Sequence, residues 1–187
     1  MHKILEYDKA LFRVLNGKWH SPFFDIVMPY LRNALFWAPL YLFLALLVLI
    51  NFRKTGWVWS LFLIFTGAIS DVISSRLIKE NVLRLRPNND PDLADTIRVL
   101  VAYRPQSSSF TSSHAFTHFA MATFLFLTLK EKFGNWTLLL FAWAFFVSYA
   151  QVYVGVHFPL DVTCGGLFGI FVGYLLGKLF NKKFGLL

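Results

Sequence analysis

The feature that most restricts this chain is the recurrence of uninterrupted apolar stretches at 34–50, 57–73, 115–129, 136–156 and 162–180. A helix rises about 1.5 Å per residue, so about 20 apolar residues carry it across a hydrocarbon core about 30 Å thick. Apolar residues make up 57% of the 187 positions, more than a water-soluble core of this size encloses. These observations predict an all-α fold, a polytopic transmembrane helical bundle of five to six spans.

The first thirty residues read differently. Ile4, Leu5, Leu11, Phe12 and Leu15 recur at helical spacing between Lys3, Glu6, Lys9 and Arg13, the pattern of a helix lying in the membrane interface as an anchor or a lid. The same mixture of charges leaves no apolar core for a cleavable signal peptide. Residues 21–32 are apolar but short, with Pro22, Asp25 and Pro29, and read as a second interfacial or re-entrant helix or as part of a sixth span. The whole chain, 1–187, is expected to form a single membrane-embedded domain, with 1–32 at the interface and 33–187 as the transmembrane core.

One long polar connection, 79–113, interrupts that core with Arg84, Arg86, Arg98 and Arg104 and the turn-forming run Pro87-Asn88-Asn89-Asp90-Pro91. Counting spans, this loop shares a membrane side with the turn at 157–161. Arg53, Lys54, Lys130, Lys132, Lys178, Lys182 and Lys183 fall on the other side, which the positive-inside rule makes cytoplasmic. The loop is therefore expected to face the periplasm or cell exterior, with the protein in the cell (inner) membrane. The net charge of +8 sits in short loops rather than on a soluble face, which argues against nucleic acid and for lipids bearing phosphate. Cys164 is the only cysteine, so an internal disulfide and a cysteine-based zinc site are excluded. Glycines at 165, 169, 173 and 177 form a stripe on which a second helix can approach closely, within one chain or between two; the oligomeric state is left open.

The chemistry lies in three segments that converge on the outward side. Lys79 is followed, after six intervening residues, by Arg86 and Pro87, and an ammonium with a guanidinium fork is a common pairing for phosphate oxygens. Ser112, Ser113 and His114 open a span, where hydroxyls and free backbone N–H groups suit an anion. His157 is followed four residues later by Asp161, a carboxylate placed to accept a ring N–H and turn the other nitrogen toward substrate. His157 is then a candidate nucleophile, and His114 a candidate acid for the leaving oxygen.

These segments resemble the motifs of the type 2 phosphatidic acid phosphatase superfamily, which includes bacterial lipid phosphatases and vanadium haloperoxidases: Lys-x6-Arg-Pro, Pro-Ser-Gly-His, and Ser-Arg-x5-His-x3-Asp. The first is present in full at Lys79, Arg86 and Pro87; the second has Thr111 and Ser113 in place of Pro and Gly around Ser112 and His114; the third keeps His157 and Asp161 but reads Ala150-Gln151 where the family has Ser-Arg. The resemblance implies a metal-independent lipid phosphatase without a cofactor. In it His157 is the phosphohistidine nucleophile, Asp161 orients it, and His114 is acid and then base. Lys79, Arg86, Ser112 and Ser113 cradle the phosphate.

Gln151 removes one charge and one fork from that cradle. Three outcomes follow: Gln151 itself donates a hydrogen bond; Arg104, or else Arg84, supplies the missing cation, with Arg104 favoured for its closeness to Ser112 and His114; or the protein binds lipid phosphates without turning them over. Undecaprenyl pyrophosphate, phosphatidylglycerol phosphate, phosphatidic acid and lipid A phosphates all remain candidate substrates.

Overall fold

The computed structural model describes residues 2–93 and 96–186, and among these all regular structure is helical. Two short helices come first: α1 (His2–Phe12), prolonged as a π-helix through Lys18, and α2 (Pro22–Leu31). The transmembrane helices follow as α3 (Ala38–Val72), α4 (Ser113–Phe133), α5 (Leu139–Tyr153) and α6 (Pro159–Lys183). Three helical stretches are long and apolar enough to cross a membrane: Ala34–Ile78, Ser113–Tyr153 and Pro159–Lys183.

Two of the three double back. The first is 45 residues long, which straightened would measure about 70 Å, twice the hydrocarbon core. It reverses at Arg53, which takes a left-handed φ of 45°. Beyond the reversal, Trp59 and Leu63 pack with Val48 and Leu44 in one buried cluster. Gly56 permits the tight return, since a Cβ there would stand 2.6 Å from the Val48 carbonyl oxygen. The second stretch turns at Gly134, φ 57°, and sets Trp143, Ala144 and Val147 of α5 against Ala122 of α4. The result is five antiparallel passes. At 10 residues, or about 15 Å, α2 is too short to add a sixth.

The glycine stripe of α6 serves a contact within the chain. A Cβ on Gly165 would stand 2.7 Å from the Ser112 carbonyl oxygen, and on Gly169 or Gly173 it would collide with the carbonyls of Phe116 and Ala120. The α4 backbone lies directly in the groove that the missing side chains leave. This close approach brings the starts of α4 and α6, with His114 and Asp161, to the same end of the bundle. At the opposite end Lys132 Nζ lies 5.9 Å from the Phe52 ring, beside the Arg53 reversal.

The N-terminal helices lie across the site end and are tied there by polar contacts. Lys9 bridges Asp90 (2.7 Å) and Asp92 (2.8 Å) of the long loop. Buried Asn16 donates to the carbonyls of Tyr153 (2.8 Å) and Arg98 (2.9 Å) and accepts the Arg98 N–H. Asp25 of α2 accepts the Tyr153 hydroxyl at 2.6 Å and pairs with Arg98, while Met28 is buried against Ala150, Tyr153 and Val154.

Candidate active site

A cavity of about 370 Å³ opens at this end, lined by Arg32, Lys79, Arg86, Tyr103, Pro105, Gln106, Ser107, Ser113, His114, Gln151 and His157. Among the described residues no carboxylate lines it, so three cations share a space suited to negative charge.

His157 enters the wall because the chain turns sharply between α5 and α6. Gly155 takes φ 86° there, and any side chain on it would strike the Arg98 carbonyl. The backbone N–H groups of Val156 (3.1 Å) and His157 (3.2 Å) fold back onto the Gln151 carbonyl, ending α5. Pro159 then starts α6 in the first turn, where its missing N–H costs nothing, and the Asp161 side chain accepts the Phe158 N–H at 2.9 Å.

The His157 ring is 2% exposed. Its Nε2 is 3.0 Å from Arg86 Nη1. A guanidinium only donates, so Nε2 accepts and the neutral ring carries its proton on Nδ1. Nδ1 has Asp161 Oδ2 at 3.6 Å, an ion-pair separation longer than a hydrogen bond. Burial is the main cause that holds the His157 imidazole at about 4, against the pull of Asp161. The ring is thus unprotonated at neutral pH, as a nucleophile must be.

Arg86 is fixed from three sides. Nε donates to the Ser107 carbonyl at 2.8 Å, Nη2 to Ser107 Oγ at 3.0 Å, and Nη1 to the Val156 carbonyl at 3.1 Å. Lys79 caps the π-helical end of the second pass, Ile73–Ile78. Burial, and then the neighbouring Arg86 guanidinium, bring its ammonium down to about 8. Ser113 lines the cavity, held by Ser74 Oγ at 3.0 Å.

Three expected roles are not met by this geometry. Ser112 is fully buried outside the cavity and serves as the N-cap of α4, accepting the Ala115 N–H at 3.4 Å. Arg104 is exposed and absent from the lining; Tyr103 and Pro105 on either side of it take the inward positions. Arg84 lies behind Asp161, where both its terminal nitrogens are engaged: Nη1 with Asp161 Oδ1 and Nη2 with Asp8 Oδ2, each at 2.5 Å. Gln151 does line the cavity, fully buried. His118, one turn below His114, donates Nδ1–H to the His114 carbonyl at 2.8 Å and has the Tyr41 hydroxyl 3.3 Å from Nε2, so it supports His114 from beneath.

Residues 56–184 match the PAP2 superfamily. The chain belongs to that superfamily. Two lipid A 4'-phosphatases are similar over nearly its whole length. The one from Bacteroides thetaiotaomicron is 30% identical over 95% of this chain and 78% of its own, and that from Porphyromonas gingivalis is 31% identical over 96% and 75%. Among solved structures, Aquifex aeolicus LpxE superposes with a TM-score of 0.64 at 28% identity, covering 90% of this chain and 93% of its own. The phosphatidylglycerolphosphate phosphatase of Bacillus subtilis shares the fold, with a TM-score of 0.67 at 23% identity over 98% and 88%. This PAP2 protein is accordingly a phosphatase embedded in a membrane.

Three side chains that line the cavity or brace Asp161 were not found by sequence reasoning. Ser109 donates to Asp161 Oδ2 at 2.5 Å, Asp8 reaches Asp161 through Arg84 and also accepts the Leu160 N–H at 2.8 Å, and Arg32 lines the cavity beside Gln151. The PAP2 match begins after Asp8 and Arg32, and neither belongs to a recognisable motif. Among the described residues no three His, Cys, Asp or Glu side chains converge as a metal-binding set.

Proposed function

We propose that this protein hydrolyses a terminal phosphate from a membrane lipid through a phosphohistidine on His157, in an outward-facing site whose substrate tail stays in the bilayer. The observation that carries the reading is the cavity itself, in which His157, His114, Lys79 and Arg86 line one space of about 370 Å³.

His157 Nε2 attacks phosphorus; the N–P bond forms as the bond from phosphorus to the lipid oxygen breaks, and His114, protonated once the phosphate dianion occupies the cavity, gives that oxygen its proton. The doubly substituted imidazolium is balanced by Asp161, itself neutralised from behind by Arg84. Neutral His114 then takes a proton from water, whose oxygen displaces His157 and releases inorganic phosphate. Lys79 and Arg86 face the oxygens on which charge spreads in both steps.

Similarity to the two lipid A 4'-phosphatases over nearly the whole chain favours a phosphorylated saccharolipid as substrate. The outward orientation is supported by the seven basic residues, from Arg53 to Lys183, gathered in the turns and terminus away from the site.

The test offers detergent-purified protein a panel of lipid A, phosphatidylglycerol phosphate, phosphatidic acid and undecaprenyl pyrophosphate, beside His157→Ala. Phosphate release from lipid A is expected, falling by about 10³-fold or more without the nucleophile. Absence of His157-dependent release from every member of the panel would sink the enzymatic reading and leave a lipid-phosphate binder.

A further inference from the structure

Gln151 and Arg32 form the part of the cavity wall that the motif segments leave unexplained. Gln151 Oε1 accepts Arg32 Nε–H at 3.3 Å, while Gln151 Nε2, though fully buried, has no hydrogen-bond partner among the described residues. A buried primary amide with unspent N–H groups on a cavity wall is a donor waiting for an acceptor. Arg32 lines the same cavity, whose other charged members are Lys79 and Arg86, and among the described residues no carboxylate there offsets its charge.

The position of Arg32 is fixed by packing. It is the C-cap residue of α2, whose Met28 is buried against α5 and whose Asp25 holds the Tyr153 hydroxyl. Just beyond it, Asn33 Oδ1 caps the next turn and Trp37 Nε1 donates to the Leu31 carbonyl at 2.8 Å. The helix therefore ends with its last side chain reaching back to Gln151, which is 119 positions away in sequence.

We propose that Arg32 and Gln151 together form one phosphate clamp, in which the Gln151 carbonyl holds the Nε edge of Arg32 and both the Arg32 terminal N–H groups and the Gln151 Nε2 N–H groups are spent on phosphate oxygens. Glutamine fits at 151 because it accepts from one neighbour and donates to another. A second guanidinium would only repel the first, and in a low-dielectric cavity that repulsion is strong. The cation that Gln151 lacks is thus relocated to another helix, in a segment outside the matched residues 56–184.

The proposal rests on the phosphatase reading of the cavity, and its test separates the two. Inorganic phosphate binding is measured by calorimetry on the detergent-purified full chain, alongside KM and kcat on the best lipid phosphate, for wild type, Arg32→Ala, Arg32→Gln, Gln151→Arg and the Arg32→Ala/Gln151→Arg double variant. Removing the Arg32 charge is expected to weaken phosphate binding about tenfold to a hundredfold, the range for a lost charge-assisted hydrogen bond. Gln151→Arg alone brings no gain, whereas the double variant recovers affinity to within about fivefold of wild type, a rescue that loss of packing does not produce.

Arg32→Gln keeps a side-chain N–H near Gln151 without the charge and carries the test if Arg32→Ala loses its thermal transition. The clamp is overturned if folded Arg32→Ala or Arg32→Gln binds phosphate as wild type does, or if the double variant is no better than Arg32→Ala. Turnover surviving in His157→Ala, with Arg32-dependent phosphate binding intact, overturns the phosphohistidine reading and leaves the clamp standing.

Discussion

Lys79 has the cavity charge closest to its own titration range. Its ammonium is held at about 8 by burial and by Arg86, and only the protonated form attracts phosphate. As pH rises through about 8 that charge is lost, so kcat/KM, which reports the free enzyme, is expected to fall on the alkaline side. Bound phosphate favours the protonated form, so the corresponding fall in kcat lies at higher pH. A kcat/KM profile flat from pH 7 to 10, or one unchanged in Lys79→Gln, would show that Lys79 does not hold the phosphate. That His157, Lys79, Arg86 and His114 would come together was legible in the sequence because motif spacing puts them at span ends, and they line one cavity. Ser112 was misread because a hydroxyl at a helix start serves an anion or the helix's own N–H groups, and the letters are the same for both. Arg104 was favoured because it is near in sequence, yet the residue beside Gln151 is Arg32, brought there by packing of α2 on α5 that no local pattern encodes.

At the level of elements, α1 takes part in the polar contacts behind the cavity. Its Asp8 completes a line of alternating charge, Asp8–Arg84–Asp161, that ends beneath the His157 ring. Asp8→Ala leaves a partly buried guanidinium with one carboxylate instead of two, and is expected to destabilise the fold by about 3 kcal/mol and to lower kcat more than it raises KM. Thermal unfolding in micelles and steady-state kinetics measure the two effects; unchanged kcat in the folded variant would mean that the line is structural only. The α4–α6 pair makes a second case. Gly173→Leu places a side chain on the Ala120 carbonyl, with no flexible neighbour to yield, and is expected to lower the midpoint of unfolding sharply. An unchanged midpoint would contradict the close approach. The glycine stripe was readable as a helix contact, though its partner was not, because spacing names a groove and not what fills it.

For the molecule as a whole, the transmembrane helical bundle was legible from apolar length as five to six spans, since lipid leaves few other solutions. Orientation is testable with single cysteines in a Cys164→Ser background. In intact bacterial cells, a membrane-impermeant thiol reagent is expected to label Gln106→Cys beside the cavity and to spare Lys132→Cys at the opposite end; the reverse pattern would invert the proposed topology. Asp8 and Asp161 stand at nearly opposite ends of the sequence, yet they meet on Arg84. During synthesis from the N-terminus, the first helix meets Arg84, Asp90, Asp92, Arg98 and Tyr153 before α6 exists, and the contact of Asp8 with the Leu160 N–H waits for the last span. Until then Asp161 is not yet made, and Arg84 has only one of its two carboxylates. Asp161 therefore arrives with the last helix, and a chain truncated before α6 carries the His157 ring without the carboxylate that stands beside its Nδ1.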